Sequence, residues 1–138
     1  MNVGQCKLIR FPTFSNAVGD LSVVEGNQHI PFKIKRIYYL HNVPKGAERG
    51  VHAHKNLQQF IIAISGSFTI VIDDGINKKS LTLNDPKQGL FISPLIWREI
   101  TDFTEDAVLL VLASEHYDPE DYFHEYNEFL QYLEKIQP

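Results

Sequence analysis

The sequence predicts an all-β fold, a jelly-roll barrel or sandwich of many short strands closed by one short C-terminal α-helix. Three observations carry this. Short apolar or alternating runs recur along the 138 residues, turn-forming residues separate them, and helical spacing of apolar residues occurs only near the C-terminus. With 43% hydrophobic residues and no linker or repeat, residues 1–138 are expected to form a single domain with a sizeable core.

In chain order, the predicted strands are Leu21–Glu25, Lys33–Leu40, Gly50–His54, Gln59–Ser65, Ser67–Asp73, Ser80–Leu83, Gly89–Ile92, Trp97–Thr101 and Ala107–Ala113. Several are rich in Ile, Val, Phe and Tyr, which suit a pleated surface. Ser65-Gly66 and Asp73-Asp74-Gly75 read as tight hairpin connections because Gly and Asp tolerate positive φ. Pro44, Pro86 and Pro94 fall in loops or at strand starts, where a missing N–H does little harm. From Pro119 onward, Tyr122, Tyr126, Phe129 and Leu133 recur at spacings of three and four. That predicts a helix starting at Pro119, capped by Asp118, with Tyr122 and Tyr126 on its buried face.

Charge and composition exclude several function classes. The formal net charge is −4, without the basic footprint of a nucleic-acid binder, so an anionic ligand would need a local positive cluster. The single Cys6 rules out an internal disulfide framework and fits a reducing compartment. Met1 to Arg10 lacks the apolar run of a signal peptide, and no stretch approaches a membrane span. A soluble cytoplasmic protein with no membrane and no nucleic-acid partner is expected.

The densest chemical cluster is Arg49-Gly50-Val51-His52-Ala53-His54-Lys55. Residues two apart on a strand point the same way, so His52 and His54 project together, either into the barrel or out from its rim. The spacing resembles the first cupin motif, in which Gly and His-x-His are followed by an acid and then a Gly. Here Gln59 stands at the acid's place and Gly66 at the last glycine's. The second cupin motif normally adds a histidine after a proline, whereas this chain reads Pro94-Leu95-Ile96-Trp97-Arg98-Glu99.

These replacements argue against a bound metal. A catalytic divalent ion takes about three imidazole or carboxylate donors. Gln59 is a weak neutral donor and Arg98 a fixed cation, so the pocket is expected to work without a metal, unless Glu99 turns inward. Two imidazoles can still move protons near neutral pH, and proton abstraction beside a carbonyl is a natural task for them. The enolate that forms needs donors or positive charge at its oxygen. Arg49, the second histidine and a hydroxyl of Tyr38 or Tyr39 are candidates, although alternation lets only one of the two tyrosines face the pocket. Trp97 either stacks on a sugar or base or packs in the core. Arg98 either binds phosphate or pairs with Glu99 on the surface. His29, His41, His116 and His124 show no partner pattern, and Cys6 is not expected to be a nucleophile.

With these residues in view, the chain resembles the dTDP-4-keto-6-deoxyglucose 3,4-ketoisomerases, small cupins also found as the WxcM-like domain. The resemblance runs from about Gly19 to Leu133. It is carried by Ile30-Pro31-Phe32 with Lys35-Arg36-Ile37-Tyr38-Tyr39, by Arg49 to Lys55, and by Asp73-Asp74-Gly75. Further carriers are Gln88-Gly89-Leu90, Trp97 with Glu99, Asp102-Phe103, Val108 to Ser114, and Tyr117-Asp118 through Asp121-Tyr122. It implies a homodimeric cupin jelly roll that binds a dTDP-linked 4-keto-6-deoxysugar and uses no cofactor or metal. It also implies that His52 is the base, with His54, Arg49 and one strand tyrosine positioning the substrate and stabilising charge. The candidate catalytic set is then His52, His54 and Tyr39. Arg49, Tyr38, Lys55, Gln59, Trp97, Arg98 and Glu99 are the candidates for substrate binding. The implied reaction carries the carbonyl from carbon 4 to carbon 3 through an enediol. Its product would feed an aminotransferase making 3-amino-3,6-dideoxysugars for surface polysaccharides such as O-antigen, or for antibiotics. Two positions depart from the family's pattern: Val18 stands where an arginine is usual, and Arg98 where a histidine is usual. Arg98 is expected to compensate for the charge absent at Val18. Epimerisation of the same substrate class and non-catalytic sugar binding are the alternative readings.

Overall fold

The structure, a computed structural model, describes residues 2–136. It builds two five-stranded antiparallel sheets that face each other, plus one small hairpin. The strands are β1 Leu8–Arg10, β2 Thr13–Asn16, β3 Gly19–Ser22, β4 Arg36–Leu40, β5 Arg49–His54 and β6 Gln59–Ser65. They continue with β7 Phe68–Asp73, β8 Lys78–Leu83, β9 Gln88–Ile92, β10 Trp97–Thr101, β11 Val108–Ala113 and β12 Tyr122–Phe123, before one helix, α1 Tyr126–Ile136. The first sheet runs β1-β9-β6-β11-β4 and the second β12-β5-β10-β7-β8, while β2 and β3 pair only with each other. This is the predicted jelly roll, as a two-sheet sandwich with no hydrogen-bonded ladder joining the sheets among the described residues.

Three apolar layers result. The central one lies between the sheets and includes Ile61, Phe68, Ile70, Ile72, Leu90, Ile92, Ile96, Ile100 and Leu109. Behind the first sheet, Phe11, Ile30 and Phe32 from the N-terminal segment cover Phe60, Ile62 and Leu112. Behind the second, Phe129 of α1 packs on Ala53, Trp97 and Phe123. Gln59–Ser65, covered on both faces along most of its length, reads as a nearly continuous apolar run and has the bounds the sequence predicts. Trp97–Thr101 also has its predicted bounds, with charged residues between its apolar ones.

The N- and C-terminal segments differ from expectation. β1 has three residues and the β2–β3 hairpin is mostly exposed, so neither shows an alternation to read. The expected strand Leu21–Glu25 is accordingly displaced to Gly19–Ser22. The helix predicted from Pro119 is also corrected. Asp118 does cap there, its side chain accepting from Glu120 N–H, but the turn is a three-residue 3₁₀ helix, Pro119–Asp121. Tyr122 and Phe123 then form β12 against β5, in register with His54 and Ala53. The exposed backbone edge of β5 wins these residues from the helix because its N–H and C=O groups need partners. Tyr122 therefore sits over the histidine strand, not on the buried face of α1.

Candidate active site

The inner faces of both sheets leave a cavity of about 270 Å³ at one end of the sandwich. β5 supplies His52 and Arg49 to it, a pairing that strict alternation forbids because the two are three residues apart. A bulge resolves this: His52 pairs with Arg98 and Arg49 with Ile100, so β5 carries one extra residue against β10. Gly50 takes the strain with φ +86°, a region that suits a residue without Cβ. Both side chains then reach the cavity.

His54 lies deeper, 1% exposed, with its ring centroid 4.7 Å from that of His52. The Tyr122 ring covers both histidines, at 4.3 Å from His54 and 5.1 Å from His52. His54 Nδ1 is 3.3 Å from Asp121 Oδ2, yet neither ring nitrogen makes a hydrogen bond among the described residues. Asp121 instead accepts from the backbone N–H groups of Asn56, at 2.8 Å, and Leu57, at 3.3 Å.

β10 turns Arg98 inward and its neighbours Trp97 and Glu99 outward, as alternation requires. Arg98 is 2% exposed and has no carboxylate partner within salt-bridge range among the described residues. Its Nε and Nη2 donate to the Ile96 carbonyl at 3.3 and 3.1 Å, and its Nη1 donates to Gln59 Oε1. Gln59 Nε2 in turn donates to the Tyr38 hydroxyl at 2.7 Å.

Several sequence-predicted roles are corrected by these placements. Tyr38 lines the cavity, while Tyr39, on the opposite face of β4, is 61% exposed beside His41. Trp97 is core, wedged against Tyr126 and Phe129 with centroids 5.3 and 6.0 Å away, and does not line the cavity. Glu99 opens on a separate cleft with Asp73 and Lys78, so it neither pairs with Arg98 nor completes a metal site. Lys55 lies beyond the end of β5, its Nζ 5.2 Å from the Phe123 ring, away from the cavity. Val18 is 94% exposed at the hairpin turn, and Arg98 is committed to Ile96 and Gln59. The cavity thus keeps His52, Arg49, Tyr38, Gln59 and Arg98, with His54 behind His52.

Arg36, Tyr117 and Tyr122 also line the cavity, although none is among the sequence-predicted site residues. Arg36 lies over the Tyr38 ring at 5.0 Å and its Nε is buried without a partner. It is two residues before Tyr38, so alternation alone would have placed it on the same face. Tyr117 and Tyr122 come from the segment between β11 and α1; the β5–β12 pairing brings Tyr122 over the histidines, and the Tyr117 ring lies 6.0 Å from that of Tyr122.

Electrostatics follow from burial around a fixed cation. Desolvation and the Arg98 guanidinium lower His52 to a pKa of about 3, with His124 adding to the effect. The same two causes, then His52, lower His54 to about 2. Contact with Asp121 alone would favour the imidazolium, but burial and Arg98 outweigh it, so the carboxylate faces a neutral ring. Desolvation lowers Arg98 itself to about 10, which leaves it charged at neutral pH. Burial raises the Tyr38 phenol, which keeps its proton.

Two uncharged imidazoles, a protonated phenol and a guanidinium lacking a counterion thus share one small space. That set can accept a proton from carbon and hold negative charge on oxygen. Its donors do not suit a metal ion: beside the two imidazoles stand an amide and a fixed cation. Among the described residues no three His, Cys, Asp or Glu side chains gather to hold one.

The chain also matches a known family. A family model described as FdtA, WxcM-like, C-terminal matches residues 4–134. A TDP-4-oxo-6-deoxy-α-D-glucose-3,4-oxoisomerase of Aneurinibacillus thermoaerophilus is 41% identical over 130 residues, covering 94% of each chain. The structure of a His-to-Asn mutant of the 3,4-ketoisomerase QdtA from Thermoanaerobacterium thermosaccharolyticum, in complex with TDP-4-keto-6-deoxyglucose, superposes with a TM-score of 0.92. The two are 44% identical over 96% of both chains. The WlaRB TDP-quinovose 3,4-ketoisomerase of Campylobacter jejuni gives 0.88 at 43% identity, over 91% of this chain and 97% of that one. With a family match over residues 4–134 and relatives above 40% identity along almost their whole length, this chain belongs to the FdtA, WxcM-like C-terminal family.

Proposed function

We infer that this chain is an isomerase, a dTDP-sugar 3,4-ketoisomerase of deoxysugar biosynthesis. It acts on dTDP-4-keto-6-deoxyglucose through proton transfer by His52. The observation that carries the chemistry is the Arg98 guanidinium, 2% exposed, without a counterion among the described residues and paired across the strands with His52. Burying an unpaired charge is costly, and an anion formed next to it offsets that cost.

In this reading His52 takes the proton from carbon 3. The electrons of that C–H bond become the C3=C4 double bond, and the carbonyl oxygen on carbon 4 becomes the anion held by Arg98 and the Tyr38 hydroxyl. Transfer of the proton on the carbon-3 hydroxyl and return of a proton to carbon 4 leave the carbonyl on carbon 3, with no net oxidation. His54 backs His52 as a second neutral ring. Arg36 and Arg49, which also line the cavity, supply positive charge for the nucleotide diphosphate. No metal is required by these steps.

A homodimer is proposed as the working assembly. The outer face of the first sheet exposes Ile37, Tyr39 and Ile64, and the nearby hairpin exposes Phe14, Val18 and Leu21, more apolar surface than a lone sandwich needs to leave open. The product, a 3-keto-6-deoxyhexose, suits a subsequent transamination at carbon 3. The deciding experiment incubates purified protein with dTDP-4-keto-6-deoxyglucose and reads the product by NMR. A carbonyl moved to carbon 3 supports the assignment. A carbonyl left on carbon 4 with an inverted neighbouring centre makes the protein an epimerase, and unchanged sugar rejects both.

A further inference from the structure

The polar network behind the cavity has a direction. Arg98 carries only donors, so the Gln59 atom facing it has to be the oxygen Oε1. The amide nitrogen is thereby turned to Tyr38, and its N–H donates to the phenolic oxygen at 2.7 Å. Gln59 is 1% exposed, so reversing it would break both bonds and set its amide N–H against the Arg98 donors. Tyr38, having accepted, finds no acceptor for its own proton among the described residues, and its side chain lines the cavity.

We propose that Gln59 is a positioning residue that commits Tyr38 to donating its hydrogen bond into the cavity. The proposal rests on the isomerase reading of what fills that cavity. There the donated proton meets the oxygen on which negative charge develops. Burial that keeps Tyr38 protonated agrees with a donor role.

An amide is essential to this geometry. A carboxylate at position 59 would accept from Arg98 with one oxygen and from the Tyr38 hydroxyl with the other, drawing the phenolic proton away from the substrate. The acid found at this point of the motif that the sequence resembles would therefore invert the hydrogen bond. Gln59→Glu keeps the size, gives Arg98 a counterion and should fold.

The test combines kinetics with a substrate-free readout. Gln59→Glu is expected to lower kcat by about 10²-fold, as loss of one aimed donor does, while KM stays within a few-fold. In the Tyr38→Phe background the same change should cost nothing further, because Gln59 acts only through that hydroxyl. Ultraviolet titration of Tyr38, read as the difference from Tyr38→Phe, should move to higher pH in Gln59→Glu. Should that variant fail to fold, Gln59→Met takes its place, with a kcat loss of about tenfold for the missing hydrogen bond, again erased by Tyr38→Phe. A Gln59→Glu enzyme with unchanged kcat, an undiminished loss in the Tyr38→Phe background, or an unmoved titration overturns the proposal. A wild type that converts no ketosugar rejects the isomerase reading instead, and the titration still decides the direction of the bond.

Discussion

Arg98 on β10 and His52 on β5 face each other across one rung of the second sheet, and burial, reinforced by the guanidinium, holds the imidazole uncharged. The pairing explains how a histidine enclosed by protein stays available as a base: neutral is its only comfortable form there. It also limits base strength, since a ring with a pKa of about 3 takes a proton reluctantly. An anion forming beside Arg98 would cancel part of that field and strengthen the base as the reaction proceeds.

Removing the cation should show both effects. Arg98→Met is expected to lower kcat by about 10²-fold or more, the usual cost of one oxyanion-stabilising donor. The field of Arg98 depresses His52, so without it the His52 pKa rises toward the ordinary imidazole value. The acid limb of kcat/KM should therefore move up in pH. Pre-steady-state and pH-rate measurements check this, and a variant that raises KM alone would return Arg98 to a simple binding role.

His52→Asn removes the base while retaining a polar side chain of similar size. Turnover should fall by about 10²- to 10⁴-fold, the range of general acid–base catalysis, with nucleotide-sugar affinity by calorimetry within a few-fold of wild type. Normal turnover would reject His52 as the base.

The two tyrosines of β4 give an internal control. Tyr38→Phe deletes a hydroxyl at the cavity and should lower kcat by about 10²-fold. Tyr39→Phe deletes one on the far, exposed face and should leave kcat unchanged. Assays of the pair side by side decide which tyrosine serves the reaction.

Much of this was legible in the sequence wherever periodicity was strong. β6 has its predicted bounds because its run is apolar and buried along most of its length; β10 has them too, although its run mixes Trp97 and Ile100 with Arg98 and Glu99. His52 and His54 share a face because a two-residue spacing fixes it. Arg49 could be grouped with them only by proximity in sequence; the Gly50 bulge that makes the grouping true is a tertiary feature. Tyr122 was misread because a spacing of four to Tyr126 fits a helix as well as it fits a strand residue followed by a turn. Trp97 and Arg98 show the limit most clearly. Strand alternation assigns them to opposite faces, but only the placement of α1 behind the second sheet shows that the tryptophan's face is core and the arginine's is the cavity.

Trp97 should accordingly behave as a packing residue. Trp97→Ala is expected to destabilise by about 3–5 kcal/mol, the range for removing a large buried aromatic, because Phe129 and Tyr126 of α1 lose a packing partner on the sheet. Trp97→Phe should recover most of that stability and leave KM unchanged. Urea unfolding with steady-state kinetics on the phenylalanine variant tests this, and a large KM increase there would restore Trp97 to the binding site.

The buried histidines also predict how stability depends on pH. His52 and His54 have folded-state pKa values of about 3 and about 2, against about 6.5 in the unfolded chain. Below pH 6.5 the unfolded chain binds protons at these rings and the folded protein does not, so stability falls as pH falls. Above pH 6.5 both states are neutral at the rings and the dependence vanishes. Between pH 6.5 and 5 each ring contributes a loss on the order of 2 kcal/mol. Urea midpoints measured across pH 5 to 8 should therefore be flat above about 7 and drop below it. His54→Gln, which removes the more deeply buried ring, should roughly halve the slope. A wild-type midpoint that stays level down to pH 5 would mean that the rings accept protons in the folded state, and the uncharged pair that the reaction requires would not exist.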